Sequence, residues 1–407
     1  MDTVVIIVFV VVYFGMMVGR IHGLALDRTG IALLGAIALL ATGRVGLKEA
    51  WDAVDVATIA LLLGLMIVSA QFRLGGFYSR LAGGIVQAEV SPAALLGLLI
   101  AAAGLLSAVL VNDVVCLAMA PVLVDGCSRR GLNPVPFLLG LACASNVGSA
   151  ATLIGNPQNM LIGQVLHLSF TRYLLLAGVP SALGLFLTWL LIRRIYRDRW
   201  HVQTPVAHAE APPFDAWQTG KGLAVLGVLV MAFLTTSWPR ELLALSAGAL
   251  LLTSRRMASR PMLAAVDWHL LALFAGLFVV NHVVETSGLL AQVFGAVRSA
   301  GVDLARPGWL FGTMVVLSNL VSNVPATMLL LPSATYPLAG PILALASTLA
   351  GNLLIVGSIA NIIVVDQGQR LGVRITWLEH AKVGAPVCAA TLLVAAGWLY
   401  LVALAGG

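Results

Sequence analysis

Charged residues are scarce in this 407-residue chain, where they form 10% of the sequence while hydrophobic residues form 60%. A soluble domain has about a quarter of its residues charged, so this chain has too few charges to cover a water-facing surface. Apolar runs of roughly twenty residues, the length that crosses a hydrocarbon core, recur from end to end. The composition therefore excludes a soluble domain and predicts an all-α polytopic membrane protein.

The motifs of common catalytic and metal sites are also missing. The four cysteines (Cys116, Cys127, Cys143, Cys388) have no metal-ligand spacing, suggest no disulfide framework and are expected to be buried as small hydrophobes. There is no His-Glu-x-x-His, Gly-x-Ser-x-Gly or Walker sequence, so we expect neither an enzyme nor ATP-driven transport by this chain, and no cofactor. The net charge of +6 is attributed to cytosolic loops, not to a nucleic-acid partner.

What the sequence does have is an internal repeat. Val54-Asp55 pairs with Val266-Asp267, Gly64 with Gly276 and Gly76 with Gly288 at an offset of 212, and Asn112 pairs with Asn323 at 211. A third block, 145–159, pairs with 347–361 at an offset of 202. Paired halves with Gly- and Asn-interrupted hydrophobic segments are typical of secondary transporters built on an internal repeat.

About ten transmembrane spans are predicted from the apolar runs. Two further apolar stretches, 92–124 and 307–335, each have a polar break in the middle, and we interpret them as re-entrant hairpins that return to the side they entered. The ten spans are placed roughly at 3–19, 29–43, 56–72, 136–165, 173–192, 222–236, 240–253, 268–285, 338–365 and 383–403.

The basic residues assign these segments to sides of the membrane. With both termini outside and 193–221 in the cytosol, 17 of the 23 Lys and Arg residues fall in inside loops and 6 in outside loops, as the positive-inside rule requires. The two halves then have opposite orientations. The sequence therefore predicts an inverted repeat, with a first half at 1–192, a cytosolic linker at 193–221 and a second half at 222–407.

Four polar clusters interrupt the apolar segments, two at the hairpin breaks and two inside the spans 136–165 and 338–365. Non-helical backbone survives at membrane depth only where protein or a polar cavity surrounds it, so we expect two unwound helices there and a binding site between all four clusters. The candidate substrate- or ion-binding residues are Asn112, Asp113, Ser145, Asn146, Gly148, Ser149, Thr152, Gly155, Asn156, Ser322, Asn323, Thr327, Ser347, Thr348, Gly351, Asn352, Gly357 and Ser358.

Asp113 is the one acidic residue that lies well inside an apolar segment. A carboxylate at membrane depth is costly unless it is paired or hydrated, so it is a functional candidate by default. It could bind a coupling cation, carry a proton, hydrogen-bond a neutral hydroxylated substrate, or simply support the hairpin tip.

These motifs resemble the ion transporter superfamily, which includes divalent-anion symporters, citrate-transporter-like proteins and arsenite permeases. The resemblance is specific in 146–163 and 321–332 and looser in 347–361, and it is nearest to bacterial anion-transporter-like members. It implies a homodimer in which a transport domain moves like an elevator against a scaffold domain. It also implies that substrate and ion lie between the hairpin tips and the unwound helices, with sodium as a candidate at Asn112, Asp113, Ser145 and Asn323.

The hairpin tips depart from the sodium-dicarboxylate members, which carry Ser-Asn-Thr at both. This chain has Val111-Asn112-Asp113 at the first tip, which is more similar to the arsenite permeases, and Ser322-Asn323-Val324 at the second. We therefore expect a secondary transporter of a small anion or oxyanion in a bacterial inner membrane, coupled to protons or sodium and surrounded by lipid. Arsenite or antimonite efflux, sodium/proton antiport and a channel are the alternatives.

Overall fold

The computed structural model describes residues 2–19, 26–202 and 213–406. The central part of the predicted linker, 203–212, lies outside these ranges. Arg20, one of the basic residues assigned to the inside loops, lies outside them as well. Within them the regular structure is helical, apart from one isolated bridge between Leu132 and His201. The prediction of an all-α protein is confirmed.

Within the described ranges, six helices are long and apolar enough to cross a membrane: Val56–Leu74, Pro92–Val109, Phe170–Ile195, Ala216–Thr235, Trp268–Thr286 and Trp377–Leu404. Shorter apolar helices accompany them, at Thr3–Val18, Arg28–Ala41, Pro134–Ser149, Leu289–Ser299, Pro307–Val321 and Ala339–Ala350. Several predicted spans are therefore built from short or broken helices, which leaves backbone ends at membrane depth for a site.

The helices of the first half recur in the second half in the same order. The first set is α1 (Thr3–Val18), α2 (Arg28–Ala41), α3 (Leu47–Asp52), α4 (Val56–Leu74), α5 (Phe77–Gln87), α6 (Pro92–Val109), α7 (Asn112–Arg129), α8 (Pro134–Ser149), α9 (Pro157–Val165) and α10 (Phe170–Ile195). The second set is α11 (Ala216–Thr235), α12 (Arg240–Leu252), α13 (Ser259–Ala264), α14 (Trp268–Thr286), α15 (Leu289–Ser299), α16 (Pro307–Val321), α17 (Asn323–Leu330), α18 (Ala339–Ala350), α19 (Ile359–Arg370) and α20 (Trp377–Leu404).

The helix contacts between the two halves occur in matched pairs. Helix α4 packs against α12, and its counterpart α14 packs against α2, the counterpart of α12. A Cβ on Gly64 would come within 2.4 Å of the Ala244 backbone, and a Cβ on Gly276 within 2.9 Å of the Ala32 backbone. Both glycines and both alanines are 212 residues apart, so the sequence repeat marks the close helix–helix contacts.

The two predicted hairpins are pairs of helices separated by a short break. Helices α6 and α7 are interrupted at 110–111, and α16 and α17 at Ser322. Ser322 has φ +76, a backbone conformation that residues with a side chain rarely adopt. The second hairpin tip is therefore a sharp corner that the surrounding contacts must hold.

The two predicted unwound helices are also present, but the breaks begin later than expected. Unwinding was expected from Ser145 and from Ser347, whereas α8 remains helical to Ser149 and α18 to Ala350. The non-helical stretches are 150–156 and, apart from one 3₁₀ turn, 351–358. The serines and asparagines before each break hydrogen-bond to other segments while their backbone stays helical.

The short helices α5 and α15 stand where the sequence analysis placed loops. Each starts after a glycine in the left-handed conformation, Gly76 with φ +69 and Gly288 with φ +75. These two glycines are a matched pair of the repeat, and a residue with a side chain would be strained at either. Each helix leads from a long helix (α4 or α14) toward a hairpin.

Candidate functional site

Four helices begin around one small cavity. They are α7, α9, α17 and α19, two from each half, and each follows one of the four predicted breaks. The cavity has about 30 Å³ of room for the centres of water molecules. It is lined by Asn112, Asp113, Asn146, Asn156, Pro157, Gln158, Leu270, Ser322, Asn323, Val324, Ser358 and Ile359.

The helix starts present backbone N–H groups toward this cavity. No side chain caps the first turn of α7, α17 or α19, whereas Asn156 caps α9 by accepting from the Asn159 backbone N–H at 2.9 Å. The first N–H groups of a helix have no partner within the helix and carry a partial positive charge. Four helix starts around one cavity, three of them without a side-chain cap, form a setting suited to an anion or to an oxygen-rich solute.

The side chains that line the cavity are neutral, with one exception. No Lys, Arg or His is among them, and Asp113 is their only charged group. Asp113 is half-buried and makes no hydrogen bond or ion pair with the residues that the structure describes. The carboxylate of Asp267, at the start of α14, is a like charge that repels the carboxylate of Asp113. The first hairpin therefore brings an unpaired carboxylate to the cavity.

The two hairpin asparagines connect the tips to the unwound segments. The Asn112 N–H donates to the Gly155 carbonyl and its own carbonyl accepts from the Ser145 hydroxyl, both at 3.2 Å. Its side-chain Oδ1 is buried and has no partner among the described residues. That oxygen is a free acceptor at the edge of the cavity.

Asn323 makes the matching connections in the second half. In the orientation that gives both ends of its amide a partner, its nitrogen donates to the carbonyls of Ser347 at 3.2 Å and Gly357 at 3.3 Å. Its oxygen accepts from the Gln158 side chain at 3.2 Å. Asn323 thus joins the second hairpin to both halves.

Asn146 joins the end of α8 to the broken helix of the other half. Its side-chain nitrogen donates to Asn352 Oδ1 at 2.9 Å and to Asn361 Oδ1 at 3.1 Å, and its oxygen accepts from the Ser358 hydroxyl at 2.8 Å. All four side chains are at least 95% buried. Removing Asn146 would leave three buried polar groups without a partner, each at a cost of about 1–3 kcal/mol.

Thr348, which matches Asn146 at the offset of 202, makes the reciprocal connection. Its hydroxyl accepts from Asn156 at 3.2 Å and from Gln158 at 3.1 Å, and it donates to Asn159 Oδ1 at 3.4 Å. Each half therefore uses the residue before its own break to hold the helix that follows the break in the other half. This cross-connection holds the starts of α9 and α19, one from each half, at the cavity.

Seven of the predicted site residues line the cavity: Asn112, Asp113, Asn146, Asn156, Ser322, Asn323 and Ser358. The others are buried but do not line it: Ser145, Gly148, Ser149, Thr152, Gly155, Thr327, Ser347, Thr348, Gly351, Asn352 and Gly357. Packing requires glycine at some of these positions, since a Cβ on Gly148 would come within 2.2 Å of the Gly104 carbonyl oxygen. The predicted sodium set is brought to one place, because Ser145 bonds to Asn112 while Asp113 and Asn323 line the same cavity.

Five cavity residues were not predicted from the sequence: Pro157, Gln158, Leu270, Val324 and Ile359. Two supporting residues were also missed, Asn159, which bonds to Thr348, and Asn361, which bonds to Asn146. Gln158 and the two asparagines carry a signal, because they follow the breaks within the repeated blocks. Leu270 carries none, since it reaches the cavity only because α14 packs beside the second hairpin.

The sequence profile described as "Citrate transporter" matches residues 4–341 of this chain. An uncharacterized transporter of Mycobacterium tuberculosis is 29% identical, over 92% of this chain and 94% of its own length. The inner membrane protein YbiR of Escherichia coli is 32% identical, over 82% of this chain and 85% of its own. The silicon efflux transporter of Oryza sativa subsp. japonica is 26% identical, over 92% of both chains.

Among solved structures, the crystal structure of the Alcanivorax borkumensis YdaH transporter has the same fold. The TM-score is 0.57 at 17% sequence identity, over 98% of this chain and 94% of the other. That identity is low, so the likeness concerns the fold alone.

Proposed function

Because the chain belongs to the citrate transporter family and is a multi-pass transporter of the bacterial inner membrane, we propose that it moves a small anion or oxyanion by ion-coupled secondary transport. The observation that carries this proposal is the meeting of four helix starts at one polar cavity, in which Asp113 is the only charged lining residue. Helix ends directed at a substrate from two repeats are the arrangement expected of a secondary transporter.

The cargo in this proposal is small. A water molecule needs about 10–15 Å³ of such volume, so the 30 Å³ available corresponds to two or three waters. Citrate would not fit the cavity in this conformation, whereas an inorganic oxyanion needs little more room. The family description alone therefore does not decide the substrate.

Asp113 is the residue we propose for coupling. It lies in the first turn of α7, beside the helix starts that would hold the substrate, and no described residue neutralises it. A proton, or a sodium ion shared with Asn112, Ser145 and Asn323, would compensate its charge inside the membrane. Binding of that cation and of an anion at adjacent positions would make transport of the two interdependent.

Alternating access is proposed to follow from the repeat, by an elevator movement within a homodimer. The cavity touches Leu270 at the start of α14, but not Thr58, the matching residue at the start of α4. In the predicted topology the start of α14 is cytosolic, which supports assigning this conformation to the inward-facing state in our proposal. The outward-facing state would exchange the roles of the two halves.

A second candidate function is efflux of a neutral hydroxylated species such as arsenite or antimonite. Asp113 favours it, because a carboxylate repels an anion but accepts hydrogen bonds from hydroxyl groups. The relative named as a silicon efflux transporter handles a cargo that this chemistry would also suit. In this version the proton on Asp113 would be exchanged for the expelled solute.

Purified protein in proteoliposomes, measured by solid-supported-membrane currents, tests these proposals. Arsenite, antimonite, citrate, succinate and sulfate would each be applied with and without sodium and proton gradients. We expect a saturable response to at least one of them that depends on one ion gradient. Flux that does not saturate would indicate a channel, and sodium/proton exchange without any solute response would indicate an antiporter.

A further inference from the structure

A groove lined by three arginines lies at the end of α10, away from the central cavity. Its volume is about 470 Å³, and its lining residues are Ala93, Leu190, Arg193, Arg194, Arg197 and Trp200. None of the transport residues described above is among them, so the transport mechanism leaves this groove without a role.

The walls of the groove are fixed by aromatic contacts. The Trp189 indole N–H donates to the Ala93 carbonyl at 2.9 Å, which joins the last turns of α10 to the first turn of α6. The Arg193 guanidinium lies 5.0 Å from the centre of the Trp189 ring, a cation–π contact that orients it. The Trp200 ring lies 6.0 Å from that of Phe137. The groove is therefore a shaped site between helices.

The positive charge in the groove is not neutralised by the part of the protein that the structure describes. Arg193, Arg194 and Arg197 are exposed, and none of them pairs there with a carboxylate. Other arginines on helix ends do pair, such as Arg129 with Asp125 and Arg370 with Asp366. Three guanidinium groups without a carboxylate partner around one groove are suited to binding a ligand with several anionic oxygens.

The position of the groove indicates which ligand. Helix α10 is a membrane span that ends just after Arg193 and Arg194, and Leu190 extends the groove toward the apolar part of that span. Tryptophan and arginine at the end of a span mark the membrane–water interface, and the predicted topology makes this the cytosolic one. We propose that the groove binds an anionic phospholipid, with its phosphate on the three arginines and an acyl chain along Ala93 and Leu190.

The test compares two variants that remove the same charge. Arg193→Gln/Arg194→Gln/Arg197→Gln alters the groove, and Arg255→Gln/Arg256→Gln/Arg260→Gln alters exposed arginines elsewhere on the predicted cytosolic side. Purified protein would be titrated with phosphatidylglycerol, phosphatidylcholine or glycerol phosphate. The readouts are the unfolding temperature and the number of lipids retained in native mass spectrometry.

We expect phosphatidylglycerol, but not the other two, to raise the unfolding temperature of the unmodified protein and of the control. The groove variant should need roughly a hundredfold more lipid, since each arginine contributes about fivefold at a membrane surface. Equal responses of the two variants to phosphatidylglycerol would overturn the proposal. A response to glycerol phosphate as large as that to the lipid would show a soluble phosphate site instead.

A second variant keeps the test decisive if the triple substitution does not fold. Leu190→Trp fills the apolar part of the groove and leaves all three charges in place. It should retain fewer phosphatidylglycerol molecules than the unmodified protein, because the acyl chain loses its position. Unchanged retention by this variant would contradict the proposed binding mode.

Discussion

Asn112 and Asn323 are the residues on which the candidate site depends most directly, since each fixes a hairpin tip against an unwound segment. We expect Asn112→Ala and Asn323→Ala each to lower substrate-dependent transport by about tenfold or more. Asn323→Ala removes three side-chain hydrogen bonds at the cavity, each worth about 1–3 kcal/mol, whereas Asn112→Ala keeps the backbone bonds and removes the free Oδ1 acceptor offered to the substrate or ion. Transport would be measured in proteoliposomes at equal protein content, with folding checked by size-exclusion chromatography.

Gln292→Ala is the matched control for these two variants. Gln292 is also an amide residue, but it is exposed on α15 and does not line the cavity. It should transport like the unmodified protein. If either asparagine variant also transported normally, that asparagine would only terminate its hairpin.

A substitution of Asp113 distinguishes ion coupling from substrate binding. Asp113→Asn keeps the shape of the side chain and removes its charge, so we expect the variant to fold and to lose gradient-driven transport. Solute exchange without a gradient should persist if the residue carries only the coupling ion. Currents would be recorded at several pH values and sodium concentrations, and an unchanged dependence on both would leave Asp113 as a structural residue of the hairpin.

Close approach of helices α6 and α8 supports the site from behind. A Cβ on Gly148 would come within 2.2 Å of the Gly104 carbonyl oxygen, and this backbone cannot yield without separating the helices. Gly148→Ala should therefore destabilise the protein by about 1–3 kcal/mol, the usual cost of overpacking. Gly227→Ala on α11, where a Cβ meets nothing within 4 Å, is the control.

Thermal unfolding in detergent would measure both glycine variants. A clear drop in unfolding temperature for Gly148→Ala, with none for Gly227→Ala, is the expected pattern. Equal unfolding temperatures would show that α6 and α8 can move apart at little cost.

The helices and breaks could be predicted from sequence because each leaves a local signal. Apolar runs mark the long helices, and Gly, Asn and Pro mark the breaks, as in 155–159. The starting points of the breaks were wrong because buried partners such as Asn352 satisfy Asn146 without unwinding its helix. Helices α5 and α15 were missed because eleven mixed residues do not form an apolar run.

Contacts between distant segments could not be predicted in the same way. The reciprocal bonds of Asn146 and Thr348 join residues about 190–215 positions apart, and no local pattern specifies them. Only the repeat carries this information, since matched positions make matched contacts. The candidate site was thus predicted as a set of segments, while its lining had to come from the structure.

The two halves of the molecule are not in equivalent conformations, and one contact shows the difference. Arg240, at the start of α12, donates to the Gly163 carbonyl at 2.7 Å, and Glu241 accepts from Gln164 at 2.9 Å. These bonds hold the start of α12 to the end of α9. A cation at the C-terminal end of a helix is favourable, so the contact stabilises the conformation that contains it.

The matching contact in the other half is not made. Arg28, which corresponds to Arg240, donates instead to the Met16 carbonyl at 3.2 Å. Asp366, which corresponds to Gln164, pairs within its own helix with Arg370 at 2.8 Å. If the halves exchange roles during transport, Arg28 should reach the end of α19 in the opposite state, while Arg240 is released.

Opposite effects of two arginine variants test this exchange. Arg240→Ala should lower the population of the present conformation, because it removes the bond to the Gly163 carbonyl. Arg28→Ala should raise it, because the proposed contact of Arg28 with the end of α19 in the opposite state has to be stronger than its single bond to the Met16 carbonyl here if the exchange is to stabilise that state. The probe is Ile359→Cys, which places a thiol at the cavity without removing a polar site residue; the four native cysteines, all buried, would be replaced.

Labelling by an impermeant thiol reagent would be compared in inside-out and right-side-out vesicles. From the cytosolic face, labelling should be slower in Arg240→Ala and faster in Arg28→Ala. A change in the same direction for both would show that these arginines only stabilise the fold, and that the asymmetry between the halves does not represent a step of transport.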